Sequence, residues 1–197
     1  MRLYSYVVRY DVGFAPNPFQ GWCTLATCKP EIRRAAGPGD WIVGTGSKSN
    51  GAEGRLVYAM RIAEVLTFQQ YWDDPRFAVK KPVRTASVKR AYGDNVYHRA
   101  EDGAWLQEDS RHSFADGTSN RGHVERDTSA DAVLVASEFA YFGPTGPRVP
   151  ARLRSEELDL VHHGRSHRCN FPNKVRDEAV EWIRSLPQGV HADPRDW

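Results

Sequence analysis

Strand-forming residues crowd the first ten positions. Leu3-Tyr4-Ser5-Tyr6-Val7-Val8-Arg9-Tyr10 is rich in β-branched and aromatic side chains and predicts a strand. Asp11–Gly21 holds Gly13, Pro16, Asn17, Pro18 and Gly21 and predicts a loop. Thr27-Cys28-Lys29-Pro30-Glu31 has the marks of a helix start, with proline in the first turn and an acid near the N-terminus. That helix must end before Gly37-Pro38-Gly39. Trp41-Ile42-Val43 begins the next strand, Gly44–Gly54 makes a glycine-rich loop, and Arg55–Val65 is a long apolar strand.

Beyond it the pattern turns. Thr67 is placed to cap a short helix, FQQYWDD, closed by Pro75. Val79–Ala91 alternates weakly and contains Pro82, which predicts an extended or edge segment. Short strands are predicted at Asn95–His98 and Gly103–Leu106, and a long polar loop over Asp109–Asp131, a kind of segment often functional or mobile. Ala132–Ala136 is a buried strand, followed by Phe139–Phe142. From Asn173 the apolar positions Val175, Ala179, Trp182, Ile183 and Leu186 recur at helical spacing until Pro187, and Gly189–Trp197 reads as coil. With no internal repeat and no linker in 197 residues, the pattern predicts one α+β domain over residues 1–197.

Composition narrows the class. At 40% hydrophobic and 26% charged residues, the chain matches ordinary globular proteins. No run of about 18 apolar residues exists, so no membrane helix is expected. The N-terminus enters a strand pattern directly and lacks the regions of a signal peptide, so cytoplasmic residence is expected. Three cysteines fit a reducing compartment better than a disulfide framework. The net charge of +2 is too mild to announce a nucleic-acid binder, but its distribution is uneven. Between Arg76 and Arg90 lie the cations Arg76, Lys80, Lys81, Arg84, Lys89 and Arg90 and no acid. Such a run suits contacts with a phosphate backbone, or else a solvated edge strand protected by lysines.

Several constellations could carry chemistry. The Gly44–Gly51 loop offers backbone N–H groups, Ser47 and Lys48. It is either a solvated hairpin connection or a cradle for phosphate, and it does not match a P-loop. Gly164-Arg165-Ser166-His167-Arg168 offers a guanidinium fork and an imidazole just ahead of the C-terminal helix. His112 is a second candidate, and in an enzyme His167, His112 and an acid such as Asp40 or Asp109 would be the acid–base groups. Cys23, Cys28, His162, His163, His167 and Cys169 do not follow a standard zinc spacing, and no metal or cofactor is called for. Trp41, Trp72, Trp105, Tyr97, Tyr141 and Phe142 could stack on a base or simply pack.

The stretches TLATCKPEIR, GDWIVGTGSKS, RLVYAMRIAEVLTFQQYWDDPRF and GRSHRCNFP resemble the second type of nucleotide modification associated domain. The strand after Gly39-Asp40, the apolar strand ending near Val65 and Tyr71-Trp72-Asp73 are loosely similar to PUA-like barrels such as the ASCH, EVE and YTH domains. That resemblance implies a curved PUA-like β-barrel with short peripheral helices and a C-terminal helix. The resemblance to the nucleotide modification associated type implies work beside systems that make or handle modified bases in bacterial and phage DNA. Lys29, Arg33, Ser47, Lys48 and His167 are carried over as ligand contacts on that basis, and Arg165 joins them from its chemistry. The leading expectation is a module that binds a modified nucleobase, in nucleic acid or as a nucleotide. The alternative is a transferase or hydrolase acting on a nucleotide or modified base.

Overall fold

The computed structural model describes residues 1–155, 159–164 and 166–197. In chain order, β1 is Leu3–Val8, β2 Cys23–Leu25, α1 Pro30–Ala35, β3 Trp41–Gly46, β4 Leu56–Arg61, β5 Glu64–Leu66 and α2 Phe68–Asp73. Then come α3 Val88–Ala91, β6 Tyr97–Arg99, β7 Trp105–Gln107, α4 Arg121–Thr128, β8 Val133–Ala136 and β9 Glu138–Tyr141. Short β10, His167–Arg168, precedes α5, Asn173–Arg184, and β11, Gly189–Val190, closes the order. This is an α+β protein of several sheets and few helices, and none of the three sheets closes into a barrel among the described residues. No helix is long and apolar enough to cross a membrane.

The chain folds into two compact units. The first comprises residues 1–11, 37–63 and 136–197. Its six-stranded sheet has the order β10-β1-β3-β4-β9-β11. β1 and β3 run parallel in register from Leu3↔Trp41 to Val8↔Gly46, and β3 turns back into β4 with a bulge between Gly44 and Thr45. A side chain at Gly44 would lie 2.3 Å from the Tyr58 ring, so glycine is what lets these strands close. The amphipathic α5 buries Ala179, Val180, Trp182 and Ile183 in the same apolar cluster as Leu3, Trp41, Val43, Leu56 and Ala59.

The second unit comprises residues 12–36 and 64–135. It holds the three-stranded sheet β2-β8-β5 and the β6–β7 hairpin. Phe14, Ala26, Phe68, Tyr71, Phe77, Tyr97, Val133 and Val135 form its core. α2 begins with the expected cap, as a full capping box: Thr67 Oγ1 accepts from the Gln70 N–H (3.1 Å), and Gln70 Oε1 accepts from the Thr67 N–H (2.8 Å).

Four sequence expectations are corrected. Arg55–Val65 is not one strand but β4 and β5, which belong to different sheets. Val79–Ala91 is not extended. Asp74 accepts from the Arg76 N–H (2.9 Å) and starts a 3-10 helix over Pro75–Lys80, and α3 follows. The polar stretch Asp109–Asp131 contains α4, capped by Asn120. The terminal coil pairs Gly189 with Ala140 and Val190 with Tyr141 to make β11.

Candidate functional site

Cys28 lies in the turn between β2 and α1. It and Lys29 have φ of 58° and 41°, the left-handed region that residues with a β-carbon avoid. Two such residues in succession cost on the order of 1–3 kcal/mol each, a cost that surrounding contacts must hold in place. Arg33 supplies those contacts. Its Nε donates to the Cys28 carbonyl (2.8 Å), its Nη1 to the Ala130 and Ala132 carbonyls (2.7 and 2.6 Å), and its Nη2 to the Asp127 carbonyl. The guanidinium therefore joins the cysteine turn to the end of α4, and burial lowers its pKa to about 10.

Asp127 on α4 is fully buried. A carboxylate has about four acceptor positions, and all four here are used. Oδ1 accepts from the Cys28 N–H and from Arg126 Nε, both at 3.1 Å. Oδ2 faces His112 Nδ1 at 2.8 Å and accepts from Tyr97 Oη at 2.9 Å. Burial alone would raise the Asp127 pKa, but His112 and Arg126 outweigh it and bring it to about 2. An ionised Asp127 can only accept, so His112 carries its proton on Nδ1 and presents the Nε2 lone pair elsewhere.

That lone pair faces sulfur. His112 Nε2 lies 3.7 Å from Cys28 Sγ. The His112 side chain is 10% exposed, with the Phe14 ring edge-on at 4.8 Å and the His123 ring at 4.2 Å. Burial resists a charge on His112, but its hydrogen bonds to Asp127 and Cys28 prevail and raise its pKa above the usual 6.5. Cys28 itself is only partly buried. The order thiol, imidazole, carboxylate is that of an activated nucleophile, its general base and the group that orients the base.

The same three residues could be read as metal ligands, since their donor atoms lie within 4.8 Å of one another. Ligation would need a lone pair on Asp127, and hydrogen bonds occupy all four. His112 Nδ1 is likewise committed to Asp127. Sγ and Nε2 remain, fewer than the three protein donors of a catalytic zinc. The donor set fits proton transfer better than metal binding.

The residues predicted from sequence are dispersed. Lys29 and Arg33 are in the second unit beside Cys28, but the Arg33 guanidinium donates to backbone carbonyls and lies 5.3 Å from the Phe68 ring. Ser47 and Lys48 are in the first unit, where Ser47 Oγ lies 2.9 Å from Ser49 Oγ. His167, also there, pairs with Tyr6 in the sheet and sets its ring 5.7 Å from that of Tyr4. Arg165 lies outside the described residues. In the basic run, Arg76 grips Glu64 and Asp74 at 2.7 Å each. Lys80 is buried, with Nζ donating to Asn17 O (3.0 Å), Asn17 Oδ1 (2.7 Å) and Trp22 O (2.9 Å), so it has no proton left for a phosphate. Lys81 lies over the Trp72 ring at 3.5 Å, Arg84 is 3.6 Å from Asp109, and Lys89 is exposed with its ammonium 5.3 Å from the Phe19 ring. Arg90 is partly buried.

Of the acid–base candidates, His112 is in the constellation, where its carboxylate partner is Asp127. Asp40 accepts from the Arg2 and Gly37 N–H groups, and Asp109 accepts from Ser113 Oγ. Cys28 as a nucleophile and Asp127 as the orienting acid are read from the structure alone. The place of Cys28 at a helix start, just ahead of Pro30, was a signal in the sequence; nothing marked Asp127.

The fold and this site together define an α+β protein with a cysteine–histidine–aspartate constellation built on a strained strand-to-helix turn. The chain belongs to the nucleotide modification associated domain 2 family, whose profile matches residues 1–197. That membership suggests a role in nucleotide or DNA modification. No curated protein and no solved structure matches the chain at a significant level.

Proposed function

We propose that the protein is an enzyme, a hydrolase or transferase that uses Cys28 as nucleophile on a nucleotide or on a modified base. The observation that carries this reading is the directed chain Cys28 Sγ, His112 Nε2, His112 Nδ1, Asp127 Oδ2, at 3.7 Å and 2.8 Å. His112 takes the proton from Sγ, and the sulfur bonds to an electrophilic carbon of the substrate as that carbon's bond to its leaving group breaks. The imidazolium returns its proton to the leaving group. Water, deprotonated by His112, then attacks the same carbon, and the departing sulfur recovers a proton. A different acceptor in place of water makes the reaction a transfer. Asp127 holds the ring in the productive tautomer throughout.

The test is turnover by the purified protein of a panel of nucleotides and short duplexes, with and without modified bases, alongside Cys28→Ala and His112→Ala. Loss of turnover in both variants and a substrate-derived mass on Cys28 are expected. Turnover that survives Cys28→Ala sinks the assignment.

A second reading, a module that captures a modified base on a PUA-like fold, draws support from the second unit. Trp72 and His98 stack at 3.9 Å beneath Lys81, an aromatic pair of the kind bases stack on, in the same unit as the exposed cations Arg84 and Lys89. Selective binding that is indifferent to Cys28→Ala would favour it.

A further inference from the structure

The charge around Cys28 goes beyond what a general base requires. Lys29, Arg33 and Arg126 all interact electrostatically with the thiol. Arg111, the residue before the base, is exposed and close enough to His123 to oppose its protonation. The carboxylate that joins these groups, Asp127, is buried and saturated. Acids close by in the chain are engaged: Glu31 with Arg34 at 3.0 Å, Asp109 with Ser113 Oγ at 2.9 Å and Arg84 at 3.6 Å, Glu125 with Arg121 at 2.6 Å, and Asp131 with the Phe68 N–H at 2.8 Å.

Arg126 is the pivot. Its Nε donates to Asp127 and its Nη2 to His123 Nδ1 (3.0 Å), which fixes the plane of the guanidinium beside the base. Its Nη1 has no partner among the described residues, and the side chain is 46% exposed. Arg111 makes no ion pair among the described residues. Lys29 is pressed into the protein, where burial lowers its pKa. An anion arriving here would gain from a preset guanidinium edge, a second guanidinium and an ammonium already stripped of part of its water.

We infer that this cationic rim, Arg126 with Arg111 and Lys29, is a phosphate subsite, so that Cys28 acts on a nucleotide carrying its phosphate, free or within a strand, and not on a base or nucleoside. The inference rests on the nucleophilic reading of Cys28, and the two can fail separately. A guanidinium fork matches the oxygens of phosphate, and Arg126 and Arg111 stand beside a carboxylate whose acceptor positions are already filled.

The test is alkylation of Cys28 in a Cys169→Ser background, which removes the exposed thiol and leaves Cys23 buried. Iodoacetate, an anion, is compared with neutral iodoacetamide at two salt concentrations. A cationic rim makes Cys28 prefer iodoacetate, and salt weakens that preference. Arg126→Gln and Arg111→Gln should each lower the iodoacetate-to-iodoacetamide ratio by about tenfold, while Arg126→Lys retains most of it. A nucleoside monophosphate and inorganic phosphate should slow labelling, and the matching nucleoside should not. An oligonucleotide protecting at lower concentration than the monophosphate assigns the phosphate to a strand; the reverse order assigns it to a free nucleotide. A ratio unmoved by both glutamine variants, or equal protection by nucleoside and monophosphate, overturns the subsite. If Cys28 reacts with iodoacetamide no faster than exposed Cys169 does in the unmodified protein, the nucleophilic reading falls and the subsite with it.

Discussion

Asp127 carries four hydrogen bonds on two oxygens, and each end of its job can be removed separately. Asp127→Asn keeps the volume but offers a donor where His112 needs an acceptor, which turns the imidazole to the wrong tautomer. Cys28 alkylation and turnover should fall by about a thousandfold, and a rate within tenfold of the original would contradict the arrangement. The pair also sets a pH dependence of stability. The raised pKa of His112 means its charged form adds stability that is complete below about 6.5 and is lost as pH rises through the folded value. The depressed pKa of Asp127 means its contribution is complete above about 3.8 and is lost as pH falls toward about 2. Melting temperature across that range should lose both slopes in a His112→Ala, Asp127→Asn double variant. At this scale the sequence was half legible. Histidine and cysteine advertise chemistry by type, but Asp127 is one of many acids, and only its burial distinguishes it.

Elements were legible where their signals were local. α2 announced itself through Thr67 and Pro75, and α5 through its apolar spacing. Thr67→Ala should therefore cost about 1 kcal/mol in denaturant unfolding, the usual loss for a cap. α4 was illegible for a physical reason. RGHVERDT has no apolar stripe, because the one side chain it fully buries is a carboxylate. The 3-10 helix over Pro75–Lys80 was hidden in a similar way: its lysine reads as surface charge, yet the ammonium is an internal donor. Burial lowers the pKa of Lys80 to about 8, with Asp94 opposing. Lys80→Met strips the partners from Asn17 and Trp22 and leaves buried Asp94 without its nearby cation. A loss of about 3–5 kcal/mol is expected, and a variant as stable as the parent would show that the network is dispensable.

For the whole molecule, the sequence offered no linker because the chain passes between units at residues 11/12, 36/37, 63/64 and 135/136. Each passage is too short to leave a compositional mark. The net charge of +2 is equally uninformative, since Arg76 and Lys80 are already committed and the cations that remain are local. If the protein grips single-stranded DNA through Lys81, Arg84, Lys89 and Arg90, Arg90→Ala should reduce the slope of log affinity against log salt by roughly 1. An unchanged slope would remove Arg90 from the interface.

Arg33 reaches from the Cys28 turn to carbonyls about a hundred residues further along the chain. Cys28 is made early in synthesis, while its base and its orienting acid emerge long afterwards. A nascent or denatured chain thus carries a thiol with no assembled partner, and the arginine latch closes only when the late segment arrives. On the nucleophilic reading of Cys28, the protein is disarmed during its own manufacture and acquires its reactivity as a late event of folding. The labelling rate of Cys28 would serve as a clock for that event.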